Sequence, residues 1–292
     1  MFFSKYFQLP AWQWSYQVCF VATALCLQHC GSSSQKKWTP APAVAPQPAV
    51  LLHSVSDIAP PPGYHRLSED QNPFAVFLRN TALKNDKTVY LYNGRPKANQ
   101  QAQYAVLAVS VGNKDMQQCA DAVMRLRAEY LFAAKQYAAI RFNAGGTWLS
   151  YPDWLKGVRY QPHGNRLVIA MSKSVPNNHE TLLQFLDVVF AYCGTATLPA
   201  SLQSKPLAAL QPGDVLLQPG APGHAVIVMD AAVNAQGQKV YLLAQSYMPA
   251  QSIHILKNPA DREGGPWYVL NDDPVIQTPE WTFYKNQLYG WK

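Results

Sequence analysis

The sequence predicts an α+β fold in which helices come first and a mostly antiparallel β-meander follows. Over Asp115–Lys135, residues Ala122, Val123, Leu126, Tyr130 and Leu131 recur at helical spacing behind Asp115 as N-cap. A second helix is predicted over Thr181–Tyr192, opened by Asn177–Asn178 and stopped at Gly194. After it, Val215–Gln218, Ala225–Asp230, Val240–Ser246 and Ile253–Leu256 are short apolar runs rich in β-formers, and Asn234 to Gly237 supplies a hairpin turn between the middle two.

Ahead of the first helix, Phe74–Leu78, Val89–Tyr92 and Tyr104–Val111 read as short strands between polar turns. Between the two helices lies an inserted, irregular segment, Arg141–Arg166, dense in glycine and aromatics: Gly145, Gly146, Trp148, Tyr151, Trp154 and Tyr160. The tail from Trp267 to Trp291 is aromatic and broken by proline, and reads as a strap around the body.

The N-terminus has the layout of an export signal. Lys5 is a short positive region and Val18–Leu27 an apolar one, too short at about ten residues to span a bilayer. Leu27–Gln28–His29–Cys30, followed by Gly31–Ser34, resembles a bacterial lipobox, although His29 stands where a small residue is usual. Residues 1–30 are therefore expected to be a signal peptide, with Cys30 the lipidation site and membrane anchor. Residues 31–62 carry Pro40, Pro42, Pro46, Pro48, Pro60, Pro61 and Pro62, a tether composition that favours extended backbone. A single folded domain is expected over 63–292, held in the cell envelope and facing the periplasm or on the outer membrane.

Composition narrows the function. With 48% hydrophobic residues in 292 there is ample core for one large domain. The net charge of +7 is dispersed, with no basic stripe interleaved with aromatics, which argues against a nucleic-acid partner. No Cys/His cluster has metal-ligand spacing and no glycine-rich phosphate loop is present, so neither metal nor organic cofactor is expected. Cys19 and Cys26 leave with the signal and Cys30 takes lipid, so Cys119 and Cys193 remain as thiols or as a disulfide.

Cys119 is the expected nucleophile. It lies where the first helix begins, and helix N-terminal N–H groups lower a thiol pKa and stabilise an oxyanion. Gln118 beside it is an expected oxyanion donor. Cys193, at the other end of its helix, is the poorer nucleophile because the dipole there raises a thiol pKa. His224 opens an apolar strand after Pro222–Gly223, at the mouth of a sheet, and is the expected base. A base histidine needs an orienting group, and Gln245 on the next strand is the candidate, with Ser246 facing the other way. Asp230 is about 20 Å along the strand from His224 and cannot serve. His53, His65, His163, His179 and His254 read as surface or packing residues.

A thiol at a helix start facing a sheet-borne histidine resembles papain-like cysteine hydrolases. Gln118–Cys119, Pro212–Val215 and Gly223–Val228 are similar to the nucleophile segment and histidine hairpin of the CHAP group of cell-wall amidases and endopeptidases. Where that group carries an acidic residue and an asparagine, this chain has Ala244 and Ser246. Over Gly63–Tyr284 the chain is similar to the exported bacterial domain-of-unknown-function family 4846, on QQCADAVMRLRAEYL, GDVLLQPGAPGHAVIV, LLAQSYMPAQSIHILKNP and TPEW. The resemblance to the hydrolases implies a papain-like α+β core with an N-terminal nucleophile helix packed on a mostly antiparallel sheet. It also implies cleavage of peptidoglycan stem peptides or related cell-wall amides; the aromatic inserted segment makes Trp148, Tyr151 and Trp154 the expected cleft-lining residues. The alternative expectation is a catalytically inactive lipoprotein that binds an envelope glycan, peptide or protein.

Overall fold

A computed structural model describes residues 51–68, 72–164 and 166–292; the signal segment and Cys30 lie outside them. The first elements are β1 (Tyr64–Arg66), α1 (Pro73–Arg79), β2 (Gln103–Val106) and α2 (Cys119–Ala133). Next come β3 (Arg141–Ala144), β4 (Thr147–Ser150), α3 (Tyr151–Leu155), β5 (Val158–His163), β6 (Arg166–Met171) and α4 (His179–Tyr192). Two 3-10 turns (Leu198–Ser201 and Leu207–Ala209) aside, the remaining elements are strands: β7 (Leu202–Ser204), β8 (Val215–Gln218), β9 (His224–Asn234), β10 (Lys239–Gln245) and β11 (His254–Leu256). The tail adds β12 (Trp267–Val269), β13 (Val275–Gln277), β14 (Thr282–Tyr284) and β15 (Leu288–Trp291).

One nine-stranded sheet runs in the order β2-β11-β10-β9-β8-β15-β7, with β1 also paired to β9 and β12 to β10. Its pairings are antiparallel. Three separate hairpins, β3–β4, β5–β6 and β13–β14, complete the strands. Both faces of the central strands are covered. Ala225, Ile227, Leu242 and Ala244 join a cluster with residues of α1, α2 and α4, while Val226, Val228, Tyr241 and Leu243 join a second with Tyr268 and Phe283. Alternating side chains that are apolar on both faces explain why β9 and β10 read as continuous apolar runs.

This is not the papain-like core that was expected. Among the described residues strand outweighs helix, 32% against 23%, the strands divide among several sheets, and the segment carrying Cys119 is one of four α-helices rather than an N-terminal nucleophile helix. β1, α1 and β2 precede it. Phe74–Leu78, expected as a strand, is helical: Pro73 occupies the first turn and the Asn72 side chain accepts the Ala75 N–H at 3.1 Å. Val55 and Ile58, placed in the tether by composition, are buried in the core. The first long helix begins at Cys119 rather than Asp115. Asp115 Oδ1 instead accepts the Ala250 N–H at 2.6 Å, and Asp121 caps the helix by accepting the Gln118 N–H at 3.0 Å. The irregular segment resolves into β3, β4, α3 and β5, and the tail supplies sheet strands rather than a strap alone.

Opposite the Leu242–Leu243 step, β9 bulges, and the fully buried Asp230 sits there. Its carboxylate accepts from Arg66 Nε at 2.7 Å, Arg79 Nη2 at 2.7 Å and the Ala231 N–H at 2.9 Å. Removing one member of a buried ion pair leaves the others uncompensated, at about 3 kcal/mol or more. Asp230→Ala is therefore expected to lower the free energy of urea unfolding by about that much; an unchanged midpoint would show that the bulge does not depend on these pairs.

Candidate active site

The turn between β8 and β9 determines where His224 sits. A Cβ on Gly223 would lie 2.3 Å from the Gly220 carbonyl and 2.4 Å from Thr195 Oγ1, so only glycine fits. Thr195 Oγ1 donates to Gly220 O at 2.9 Å and closes the turn from the loop after α4. His224 then enters β9 as its first residue and is only 1% exposed. Tyr247, Trp281 and Phe283 surround the imidazole, with ring centroids at 4.9, 5.1 and 5.8 Å.

A polar chain sets the ring's tautomer. Gln245 Nε2 donates to Glu280 Oε2 at 2.8 Å, and Glu280 also receives Asn99 Nδ2 at 3.3 Å and the Lys97 ammonium. An ionised carboxylate accepts only, so the Gln245 amide nitrogen must face Glu280 and its oxygen must face the histidine. His224 Nε2 lies 2.8 Å from Gln245 Oε1 and therefore carries the proton. Nδ1 is left as a bare lone pair, buried and without a hydrogen-bond partner. Burial brings the imidazole down to about 4, against the opposing pull of the Gln245 bond and the Glu280 charge.

Cys119 is the first residue of α2, 7% exposed, and lines a cavity of about 460 Å³ together with Gln118, Asp121, Cys193, Thr195 and Gly223. The cavity reaches the residue before His224, while His224 itself is not among its lining residues. The expected lowering of the thiol pKa is overturned. Burial pushes the Cys119 thiol above 9.0 and the Asp121 charge adds to this, against the N–H groups of Ala120 and Ala225. Cys193 is pushed up to about 12, by burial first and then by Asp121, rather than mainly by the helix end. Both thiols are free, so they form no disulfide. Asp121 is itself raised well above 3.8 by burial, with only the Gln118 N–H opposing.

These shifts decide the resting protonation. Burial holds the Cys119 thiol above its ordinary value and the His224 imidazole down at about 4, so proton transfer from the thiol to the ring is uphill at rest. The pair rests as neutral thiol and neutral imidazole.

The remaining expected residues divide. Gln245 does hold His224, and Gln118 lines the cavity with its amide nitrogen donating to Asp115 Oδ1 at 3.2 Å. Tyr151 and Trp154 are buried in the core, and Trp148 lines a different cavity; none of the three lines the one at Cys119. Glu280, Lys97 and Asn99 were missed in sequence. Glu280 stood in the TPEW string, 35 residues beyond Gln245, and only pairing in space reveals it. Among the described residues no group of three or more His, Cys, Asp or Glu is placed to hold a metal.

Fold and site together define a mostly antiparallel β protein with a buried histidine relay beside a cysteine-lined cavity. Residues 55–289 match the family described as domain of unknown function (4846), and the chain belongs to that family. No curated protein and no solved structure matches it. The resemblance to the CHAP group is not shown by these comparisons. No helix among the described residues is long and apolar enough to cross a membrane.

The buried histidines set a pH dependence. His254 is also held at about 4 by burial, its Nδ1–H donating to Ser252 O at 2.9 Å. Both values lie below the unfolded value of about 6.5, so as pH falls the unfolded chain takes up protons that the folded one refuses. Their contribution is fully present above pH 6.5 and is lost as pH falls toward 4, by up to about 3 kcal/mol each. The raised Asp121 has the opposite sign, so the slopes of variants are compared. Urea midpoints of His254→Gln and His224→Gln should fall less steeply between pH 7 and 4 than that of the wild type. Equal slopes would refute the assignment.

Proposed function

We propose that the protein is a cysteine-dependent hydrolase of the cell envelope that acts on peptidoglycan stem peptides or related amides. The observation that carries this is the orientation of His224. Gln245 and Glu280 force the proton onto Nε2 and leave Nδ1 as an unpartnered acceptor on the residue that follows Gly223, itself part of the wall of the Cys119 cavity. A general base needs a free lone pair of fixed direction, and a buried nitrogen with no structural partner is otherwise a cost to the fold.

In this reading an amide carbonyl enters the cavity and the Cys119 thiol attacks it while passing its proton to His224 Nδ1. N–H groups at the start of α2 face the developing oxyanion, with the Gln118 amide nearby. The amine leaves with the proton from His224, and a thioester remains on Cys119. Water then adds to the thioester with His224 again taking the proton, and the acid departs as the thiol is restored. The relay through Glu280 offsets part of the charge that His224 gains. Cys30 carries the lipid that holds the chain at the membrane, and Cys30→Ser is expected to move the protein from the membrane to the soluble fraction on cell fractionation.

A second reading is favoured by the protonation states. A thiol and an imidazole both held neutral, with no hydrogen bond between them, suit a cavity that binds an envelope ligand without turnover. Incubation with purified peptidoglycan, followed by mass spectrometry of the soluble products, separates the two. New peptide ends should appear with wild type, and Cys119→Ala and His224→Ala should match the protein-free control. Identical products from wild type and Cys119→Ala would leave only the binding function.

A further inference from the structure

Arg127 lies eight residues beyond Cys119 on α2, about 12 Å along the helix axis. There a separate cavity of about 560 Å³ opens, sharing no lining residue with the one at Cys119. The charged side chains that line it, those of Arg127, Arg141 and Lys292, are all cationic. Lys292 Nζ already donates to Ala200 O at 2.8 Å. Neither arginine has a hydrogen-bond or ion-pair partner among the described residues, although both touch aromatic rings.

Arg127 is the stronger signal. Its guanidinium carbon sits 4.9, 5.3 and 5.2 Å from the ring centroids of Phe74, Tyr130 and Trp291. Burial without a carboxylate partner holds it below the ordinary arginine value. A planar fork of N–H donors, partly desolvated and unspent on the protein, matches a carboxylate or phosphate.

The rest of the cleft asks for more than a small anion. Arg141 lies 5.0 Å over the ring of Trp148, which is 41% exposed. Trp291 is pinned by its Nε1–H donating to Gly213 O at 3.1 Å. Two indole faces offer flat apolar surface to a ring, and the volume is far larger than an inorganic ion needs. Ser201 Oγ, on the same wall, is buried without a partner. A neutral ring would leave the cations uncompensated, whereas a ring carrying a carboxylate satisfies both features.

We propose that this cleft binds a carboxylated sugar, with its carboxylate on Arg127 and Arg141 and its ring against Trp148 and Trp291. The site is independent of Cys119 and needs no turnover.

Calorimetric titration of the full chain with N-acetylmuramic acid, N-acetylglucosamine and lactate tests it. The second lacks the carboxylate and the third lacks the sugar ring. The acid sugar should bind at least about tenfold more tightly than either, as a charge-assisted contact requires. D-glucuronate should likewise exceed D-glucose. Arg127→Gln should bring acid and neutral sugars to parity. Because Arg127 packs against three rings and its loss could unfold the chain, Arg141→Gln and Trp148→Ala, at exposed positions, are measured beside it and should weaken acid-sugar binding about tenfold. Equal affinity for acid and neutral sugars, lactate binding as well as the acid sugar, no binding of either acid sugar, or a preference intact in both exposed variants would overturn the proposal.

Discussion

Strands β9 and β10 run antiparallel with apolar neighbours on both faces, so every polar group they carry must be satisfied inside the protein. The rest of the structure follows from how each of those groups is met. Asp230, at the bulge, draws in Arg66 and Arg79 from β1 and α1 and so ties the first elements of the domain to its centre. At the opposite end of the pair, Gln245 and His224 satisfy one another, and Gln245 reaches on to Glu280 from the tail. A long apolar sheet thus recruits its distant segments through a few buried polar groups. His224 Nδ1 is among the buried groups left unmet at this sheet end, with His254 Nε2 on the neighbouring strand, and it is the one that follows a residue lining the Cys119 cavity.

The same burial sets the site's chemistry. Enclosure by Tyr247, Trp281 and Phe283 fixes the ring that Gln245 orients, and it also lowers the ring's proton affinity. The helix start would favour a thiolate at Cys119, but desolvation exceeds that contribution and Asp121 adds to it. The result is a pair that is well oriented yet uncharged at rest. In the proposed hydrolase, proton transfer would depend on what a bound ligand adds to the cavity: displaced water, an oxyanion, or a charge facing Asp121.

Charge is divided sharply along α2. At its start the cavity is lined by Cys119 with Asp115 and Asp121 and by no lysine or arginine, whereas two turns further the cleft is lined by cations and indoles. One helix therefore presents two chemically opposed surfaces, which suits a ligand long enough to carry different groups to each, or two ligands that never compete.

Much of this was legible in the chain. The apolar runs of β8 to β11, their hairpin turn and the α4 helix follow from local periodicity and turn chemistry, and Gly223–His224 and Gln245 follow from position on those strands. Phe74–Leu78 was not, because a five-residue apolar run suits strand or helix until Asn72 and Pro73 are seen to cap it. Nor was the direction of the thiol shift, since a helix start is a local feature while desolvation depends on everything packed around it. By itself, then, the sequence determined the strands β8 to β11, the helix α4 and which residues are chemically able to act, because those depend on neighbours a few positions away. Only the tertiary structure decided the fold class, the partnership of Glu280 with Gln245, the separation of Trp148 from Tyr151 and Trp154, and the protonation of Cys119 and His224. Each of these depends on contacts between residues far apart in the chain and on how much water their packing excludes.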